Sequence, residues 1–229
     1  MSGWLQRLLR RSGVYGNAPD SRLEQPLRTA SILGLDFELT GLDPANAHIT
    51  SVGWVQGTGV SISPATSFYS TVKTSRSLEQ SPVIHGLTAP VIRQGVPVRK
   101  IMQQVYPLIN SHIIICHHAL LEQGMLVKLA ASFRLDTSTL IIIDTMQVAR
   151  YLLLKQGAVI SHNSLKLSVC RKRYSLPDAP EHDALADAQA CYELWLAQSC
   201  ELGIGPEDPI SRLSHTGALI VKKVGKKHR

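Results

Sequence analysis

The sequence predicts an α/β fold in which helices flank one mixed sheet, and two observations carry this prediction. β-rich runs without helical patterns between them fill the first third, which indicates an antiparallel meander. From residue 88 onward, short apolar runs alternate with helical patterns, and strands separated by helices usually pair in parallel. Because no linker interrupts residues 29–200, we expect them to form one domain.

The meander is predicted from three runs. Residues 31–39 alternate as a strand does, and "HITSVGWVQ" (48–56) follows with a similar composition. The third run, "GVSISPATSFYSTVK" (59–73), contains Pro64, which cannot donate a hydrogen bond to a neighbouring strand. We therefore expect this run to form two pieces rather than one strand.

The second part of the chain is predicted from its changing period. Apolar residues between Val98 and Ile109 follow the 3.6-residue repeat of a helix. "HIIIC" and "TLIIID" are short enough to be buried strands. Further helical patterns cover residues 119–133, 145–156, about 163–173 and 183–198.

The net charge of +7 comes mainly from the C-terminal end, where "VKKVGKKHR" carries five cations in nine residues. We assign residues 201–229 to a basic tail, which either binds phosphate backbones or an acidic partner, or is a solvated, disordered end. We assign residues 1–28 to an amphipathic and linker segment. Its Trp4 and neighbouring leucines either dock on a partner or membrane surface, or pack on their own domain.

Two classes of protein are excluded by the sequence. No apolar run approaches the ~18 residues of a membrane span, and the N-terminal apolar stretch is too short for a secretory signal. The four cysteines contain no C-x-x-C pair, so we expect reduced thiols and a cytoplasmic location.

Two carboxylates in "LDFELTGLDP" lie two positions apart on the predicted first strand. Asp36 and Glu38 therefore share one face of the sheet, where their charges repel each other. Such a pair favours a hard divalent metal bound by oxygen, although a pair at an exposed strand end is the alternative.

A second candidate site lies in "EHDALADA". His182 and Asp187 would be ~140° apart on a continuous helix, so they converge only if His182 precedes the helix. Asp183 is a suitable N-cap for a helix that begins there. Taken separately, a loop histidine and an exposed helical acid are the alternatives.

The third candidate site is "HHALLE", where a predicted strand ends and a helix begins with Glu122 in its first turn. A zinc site of Cys116, His117 and His118 is the alternative interpretation. We disfavour it because three consecutive residues rarely reach one tetrahedral ion.

In this order, the three motifs resemble those of the DEDDh branch of the DEDD exonuclease superfamily. That branch includes RNase T, oligoribonuclease and the proofreading epsilon subunits of bacterial replicative DNA polymerases. "IHGLT", "IDTM" and "SLKL" match further words of the family, and the resemblance extends over about residues 30–198. It implies a ribonuclease H-like fold with a mixed five-stranded sheet. It also implies a 3′–5′ exonuclease that hydrolyses DNA or RNA ends with two Mg²⁺ or Mn²⁺ ions and releases nucleoside monophosphates.

The resemblance also implies roles for individual residues. Asp36 would bind both metals, Glu38 and Asp187 the tighter one and Glu122 the second, and His182 would be the general base. Contacts with the terminal nucleotide are implied for Thr40, Leu42, His118 and Leu121. The implied partners are single-stranded 3′ ends, together with a polymerase or another protein that the terminal segments would contact.

Three positions of the second motif depart from the family pattern: Glu122 replaces Asp, His118 replaces Asn and Leu121 replaces Phe. The longer Glu122 side chain would move its carboxylate by about 1 Å, which catalytic geometry tolerates poorly. The alternative hypothesis is therefore a catalytically weakened, exonuclease-like module with a nucleic-acid-binding or regulatory function. DNA and RNA both stay open as substrates.

Overall fold

The computed structural model describes residues 20–74, 89–136, 138–161 and 163–224. The segment around Trp4, the "IHGLT" word and the last five residues of the basic tail lie outside these ranges. Within them, no helix combines the length and apolar character that a membrane span requires. The expected cytoplasmic location stays a prediction.

The described residues form seven strands and six α-helices. The strands are β1 (Ser31–Leu39), β2 (Ile49–Thr58), β3 (Ser61–Lys73), β4 (Val96–Pro97), β5 (Ile113–Cys116), β6 (Ser138–Asp144) and β7 (Leu219–Val224). The helices are α1 (Ala89–Arg93), α2 (Val98–Ser111), α3 (Leu120–Ser132), α4 (Thr145–Lys155), α5 (Leu167–Lys172) and α6 (Ala184–Glu201). Short 3₁₀ helices cover Ser21–Glu24 and Ile210–Thr216.

The sheet confirms the predicted fold class, with strand order β4-β3-β2-β1-β5-β6-β7. β1, β2 and β3 are antiparallel neighbours, whereas β1, β5 and β6 are parallel. The expected number of five strands is wrong, because β4 and β7 extend the two edges to give seven. β4 has only two residues, too few for a periodic pattern, and the lysines of β7 lie on an exposed edge, where charge discourages further pairing.

The run that contains Pro64 forms one strand rather than two pieces. Between the paired residues Trp54 and Gln56 of β2, the register of β3 shifts from Phe68 to Ser63. Pro64 lies in this bulge, where its missing N–H removes no bond of the ladder.

The alternation of β1 divides its side chains between two layers of helices. Leu33 and Leu35 pack with the buried residues of α2 and α3 on one face. The intervening positions, Gly34, Asp36 and Glu38, point to the other face, which α4 and α6 cover. The two carboxylates therefore lie on the side of the sheet that carries α6.

Glycines allow α6 to approach the sheet backbone closely. A Cβ at Gly53 of β2 would lie 2.2 Å from the backbone nitrogen of Leu185, and one at Gly34 would lie 2.9 Å from the carbonyl oxygen of Ala188. The Tyr192 hydroxyl then donates a 2.6 Å hydrogen bond to the Thr58 carbonyl. This hydrogen bond holds the middle of α6 against the end of β2.

Both segments that flank residues 29–200 pack on the domain where they are described. The buried Arg22 guanidinium donates to the carbonyls of Ile109, His112 and Thr139, at 2.8, 3.0 and 2.7 Å. Whereas the sequence places residues 201–229 in a tail, β7 pairs with β6 in register. The segment forms a strand because Val224 is buried against the core. It was not predicted because the neighbouring lysines hide the alternating pattern of a strand.

Candidate active site

One pocket of about 610 Å³ opens where β1 ends and where α3 and α6 begin. Each of these elements contributes part of its lining. The lining includes all nine residues singled out from the sequence: Asp36, Glu38, Thr40, Leu42, His118, Leu121, Glu122, His182 and Asp187.

The two carboxylates of β1 lie on the α6 face of the sheet. Asp36 pairs with Gly53 and Glu38 with Ser51, so the first turn of α6 lies beside them. Burial raises the pKa of the Asp36 carboxyl well above its ordinary value, and the negative charges of Glu122 and Glu38 raise it further.

The start of α6 confirms the predicted arrangement of the histidine motif. The Asp183 carboxylate caps the helix by accepting from the backbone nitrogens of Leu185 and Ala186, at 3.1 and 2.9 Å. His182 precedes the helix, with φ 64°, and its backbone N–H donates to Asp187 Oδ2 at 2.9 Å. The two residues therefore converge although they are five apart in the sequence.

Three side chains, one from β1, one from α6 and one from the residues just before α6, form a candidate metal-binding group. One ligand atom from each of Glu38, His182 and Asp187 lies within 4.8 Å of the other two. In the described part of the chain, no other set of three His, Cys, Asp or Glu residues is this close. Asp36 and Glu122 line the same pocket outside this trio.

The alternative zinc site does not form. Cys116 and His117 do not belong to any metal-binding group of the described residues. His117 Nδ1 lies 2.9 Å from the Thr145 hydroxyl, and its Nε2 lies 2.7 Å from the Leu165 carbonyl oxygen. Both ring nitrogens are thus engaged within the protein.

Glu122 is the most deeply buried acid of the pocket, with 3% of its surface exposed. Its Oε2 has no hydrogen-bond partner among the described residues. Burial raises the pKa of Glu122 to about 8, and burial followed by the charge of Glu38 raises the pKa of Asp187 to about 6. Burying a carboxylate oxygen without a partner costs free energy, and so does the repulsion between neighbouring carboxylates. A divalent cation bound here would offset both costs, so the residues fit such an ion.

Asp144, at the end of β6, was not among the site residues predicted from the sequence. Its buried carboxylate accepts from the backbone nitrogens of His118, Ala119 and Met146, at 3.1, 3.0 and 2.9 Å. It therefore fixes the backbone that leads into α3, and so positions Glu122 one turn later. The "IDTM" word contained the signal, an acid between a buried strand and a helix.

The loop after β1 supplies two of the proposed nucleotide contacts. The Thr40 hydroxyl accepts from the backbone nitrogen of His48 at 3.0 Å, which closes the loop. Leu42 is 84% exposed at the pocket. Pro44 of this loop packs closely on Gly124 of α3: a Cβ added at Gly124 would lie 2.7 Å from the Pro44 side chain.

Comparisons with known proteins agree with this fold. A family model described as RNase T exonuclease matches residues 33–195, whereas no curated protein sequence matches significantly. Exonuclease X in complex with 5′ overhanging duplex DNA is 18% identical, with a TM-score of 0.58 over 80% of this chain and 98% of that chain. The nuclease domain of 3′hExo, a DEDDh family member bound to rAMP, is 13% identical, with a TM-score of 0.59 over 76% and 93%.

Escherichia coli Exonuclease I in complex with an oligonucleotide is also similar. It is 16% identical, with a TM-score of 0.60, and the match covers 76% of this chain but 41% of that chain. At such identities the solved structures establish a shared fold, whereas the family model covers most of the chain. The chain therefore belongs to the RNase T family of exonucleases, to which the DEDDh-type 3′–5′ exonucleases belong.

Proposed function

We propose that the protein is a metal-dependent 3′–5′ exonuclease that releases nucleoside monophosphates from single-stranded ends of DNA or RNA. The observation that carries this proposal is the convergence of four carboxylates and one histidine in a single pocket. Exonuclease X with overhanging DNA and 3′hExo with rAMP share the fold, which supports a nucleic-acid substrate of either kind.

Four carboxylates would hold two Mg²⁺ or Mn²⁺ ions: Asp36, Glu38, Glu122 and Asp187. Two bound cations supply an activated water and spread the charge of the attacking and leaving oxygens. The unpartnered oxygen of Glu122 and the raised pKa values of the cluster support this assignment, because both costs disappear when a cation binds.

His182 is the proposed general base. Its position before the helix leaves the ring exposed, so it can reach a water at the phosphate. An imidazole nitrogen can take the proton of that water, and the hydrogen bond from the His182 backbone to Asp187 fixes the position from which the side chain extends. Asp187 thus both offers a ligand and positions the base.

The terminal nucleotide would contact Thr40 and Leu42, with His118 and Leu121 as further contacts. Leu42 offers an exposed apolar surface to a base, and the closed loop holds it in place. Attachment to a polymerase or another protein through the terminal segments is a further proposal, and residues 1–19 and 225–229 lie outside the described ranges.

The first test is degradation of 5′-labelled single-stranded DNA and RNA with Mg²⁺ or Mn²⁺. We expect the wild-type protein to shorten the strand from its 3′ end. Glu122→Asp should change the rate by up to about 10²-fold, because the carboxylate moves by about 1 Å although its charge is retained. Glu181→Asp is the matched control, an exposed acid of the same pocket that should have no effect.

A second function is favoured by Glu122 itself, since Asp is the residue that the family pattern has there. A weakened nucleic-acid-binding module would bind the labelled strands without shortening them. If Glu122→Asp then degraded strands that the wild-type protein left intact, the natural Glu122 would be the silencing residue and the exonuclease proposal would be wrong.

The metal-free protein should lose stability as the pH rises. An unfolded carboxyl has a pKa near 4, whereas folding raises those of Asp187 and Glu122 to about 6 and about 8. Their protonated forms therefore favour the folded state below about pH 4, and this advantage is lost as the pH rises through about 8. Melting temperatures in EDTA should fall over that interval, and added Mn²⁺ should reduce the fall. A flat profile in EDTA would contradict a buried, repelling cluster.

A further inference from the structure

Two cations line the pocket among the described residues, and only one has a free charge. Arg171 is buried, forms a 2.8 Å ion pair with Glu193 and donates to the Ala190 carbonyl at 2.6 Å. Lys166 is exposed, and its ammonium group has no hydrogen bond or ion pair with any described residue. The free positive charge at this pocket is therefore that of Lys166.

The backbone beneath Lys166 is held on both sides. The carbonyl of Leu165 meets Nε2 of His117 at 2.7 Å, so the segment is attached to the end of β5. The Lys166 carbonyl accepts from the Cys170 nitrogen at 2.9 Å, and its own nitrogen donates to the Asn163 carbonyl at 3.3 Å. The backbone of Lys166 is therefore held in place, and the residue is exposed in the lining of the pocket.

Lys166 lies in the same pocket as the carboxylates, and this placement indicates what its charge binds. The scissile phosphate must lie at the carboxylates, where the proposed cations and His182 can act on it. Lys166 comes from a different wall, at the start of α5, and the loop of Thr40 and Leu42 forms another. A strand in the pocket carries one negative charge per linkage, and each neutralised phosphate strengthens binding.

We infer that Lys166 binds the phosphate one linkage to the 5′ side of the scissile one and so selects strands over mononucleotides. This inference rests on the proposed exonuclease function. The contact is electrostatic and carries no base preference. A solvated surface lysine with no ligand is the alternative that the test must exclude.

The test compares Lys166→Gln with wild type on single-stranded oligonucleotides. We expect KM to rise about three- to tenfold at low salt and kcat to stay within about twofold, because one charge contact in water is modest and precedes the chemical step. The slope of log affinity against log salt should become shallower by about 0.7, one phosphate contact on a single strand. Lys166→Arg should retain most of the affinity.

Lys172→Gln is the matched control. It removes the same charge six residues away, at the other end of α5, from a side chain that pairs with Asp178 at 3.8 Å. Neither KM nor the salt slope should change. If both variants changed KM and the salt slope equally, the inference would be overturned, because the change would then reflect the overall charge of α5 rather than a contact of Lys166.

A methylphosphonate at the second linkage from the 3′ end removes the same charge from the substrate. On that strand, wild type and Lys166→Gln should have equal KM values, whereas a persisting difference would overturn the assignment. Fluorescence anisotropy in EDTA measures the same comparison without turnover. If hydrolysis were absent but the difference in binding remained, only the exonuclease proposal would fail; equal binding of both proteins would overturn the role of Lys166.

Discussion

Asp187→Asn is expected to lower kcat/KM by at least about 10³-fold while the fold is retained. The substitution removes one of the charges that hold the proposed cations, and such losses are large because electrostatic stabilisation dominates this type of catalysis. The amide oxygen can still accept the 2.9 Å hydrogen bond from the His182 backbone, so the histidine stays in place. Steady-state hydrolysis of a labelled strand measures the loss.

Stability should move in the opposite direction. Removing one anion from the cluster lowers the repulsion on Glu38 and Asp36, so the melting temperature of Asp187→Asn in EDTA should exceed that of wild type. A loss of activity together with a gain in metal-free stability distinguishes a functional carboxylate from a structural one.

Asp183→Asn is the control for this variant. It makes the same chemical change four residues earlier, at the N-cap of α6, where asparagine caps a helix about as well as aspartate. Activity should stay within a few-fold of wild type. Equal losses in the two variants would mean that the helix start, rather than the Asp187 charge, limits the reaction.

The sequence predicted much of this site because its signals were local. Alternation along β1 placed Asp36 and Glu38 on one face, and the need for His182 to precede a helix located the N-cap at Asp183. The position of Glu122 in a first turn was equally accessible. Each of these inferences uses residues within six positions of one another, for which strand and helix geometry suffices.

Features that depend on distant contacts could not be predicted. Pro64 is compatible with a continuous β3 because the opposite strand accommodates a bulge, and β7 is a strand because β6 offers it an edge. The role of Asp144 depends on backbone nitrogens about 25 residues earlier. No periodicity along the chain reports such partners.

The burial of Glu122 bears both on the stability of the fold and on metal binding. Its carboxylate is buried, yet one oxygen has no partner among the described residues, and such burial costs free energy unless a ligand binds. A module that had lost its metals would lose nothing by replacing Glu122 with an apolar residue. The buried, unpartnered acid therefore favours a metal-binding site over a purely structural one.

Gly53→Ala is expected to destabilise the protein by about 3 kcal/mol, as overpacking of a rigid contact does. The added Cβ would lie 2.2 Å from the backbone nitrogen of Leu185 and 2.3 Å from the carbonyl carbon of Ala184. Both obstacles are backbone atoms, so relief requires the first turn of α6 to move away from the sheet. Urea unfolding measures the loss of stability.

The same displacement should reduce catalysis, because His182 and Asp187 lie at the start of α6. A shift of about 1 Å in catalytic groups can cost about 10²-fold in rate, so kcat/KM per folded molecule should fall by that order. Gly205→Ala is the control, since its Cβ would meet only Asp208 Oδ2, at 3.6 Å. Gly34→Ala, with 2.9 Å to the Ala188 carbonyl oxygen, should be intermediate. A free energy of unfolding of Gly53→Ala within about 0.5 kcal/mol of the wild-type value, a difference typical of surface substitutions, would contradict this prediction. The close approach of α6 to the sheet would then not be what holds His182 and Asp187 beside the carboxylates of β1.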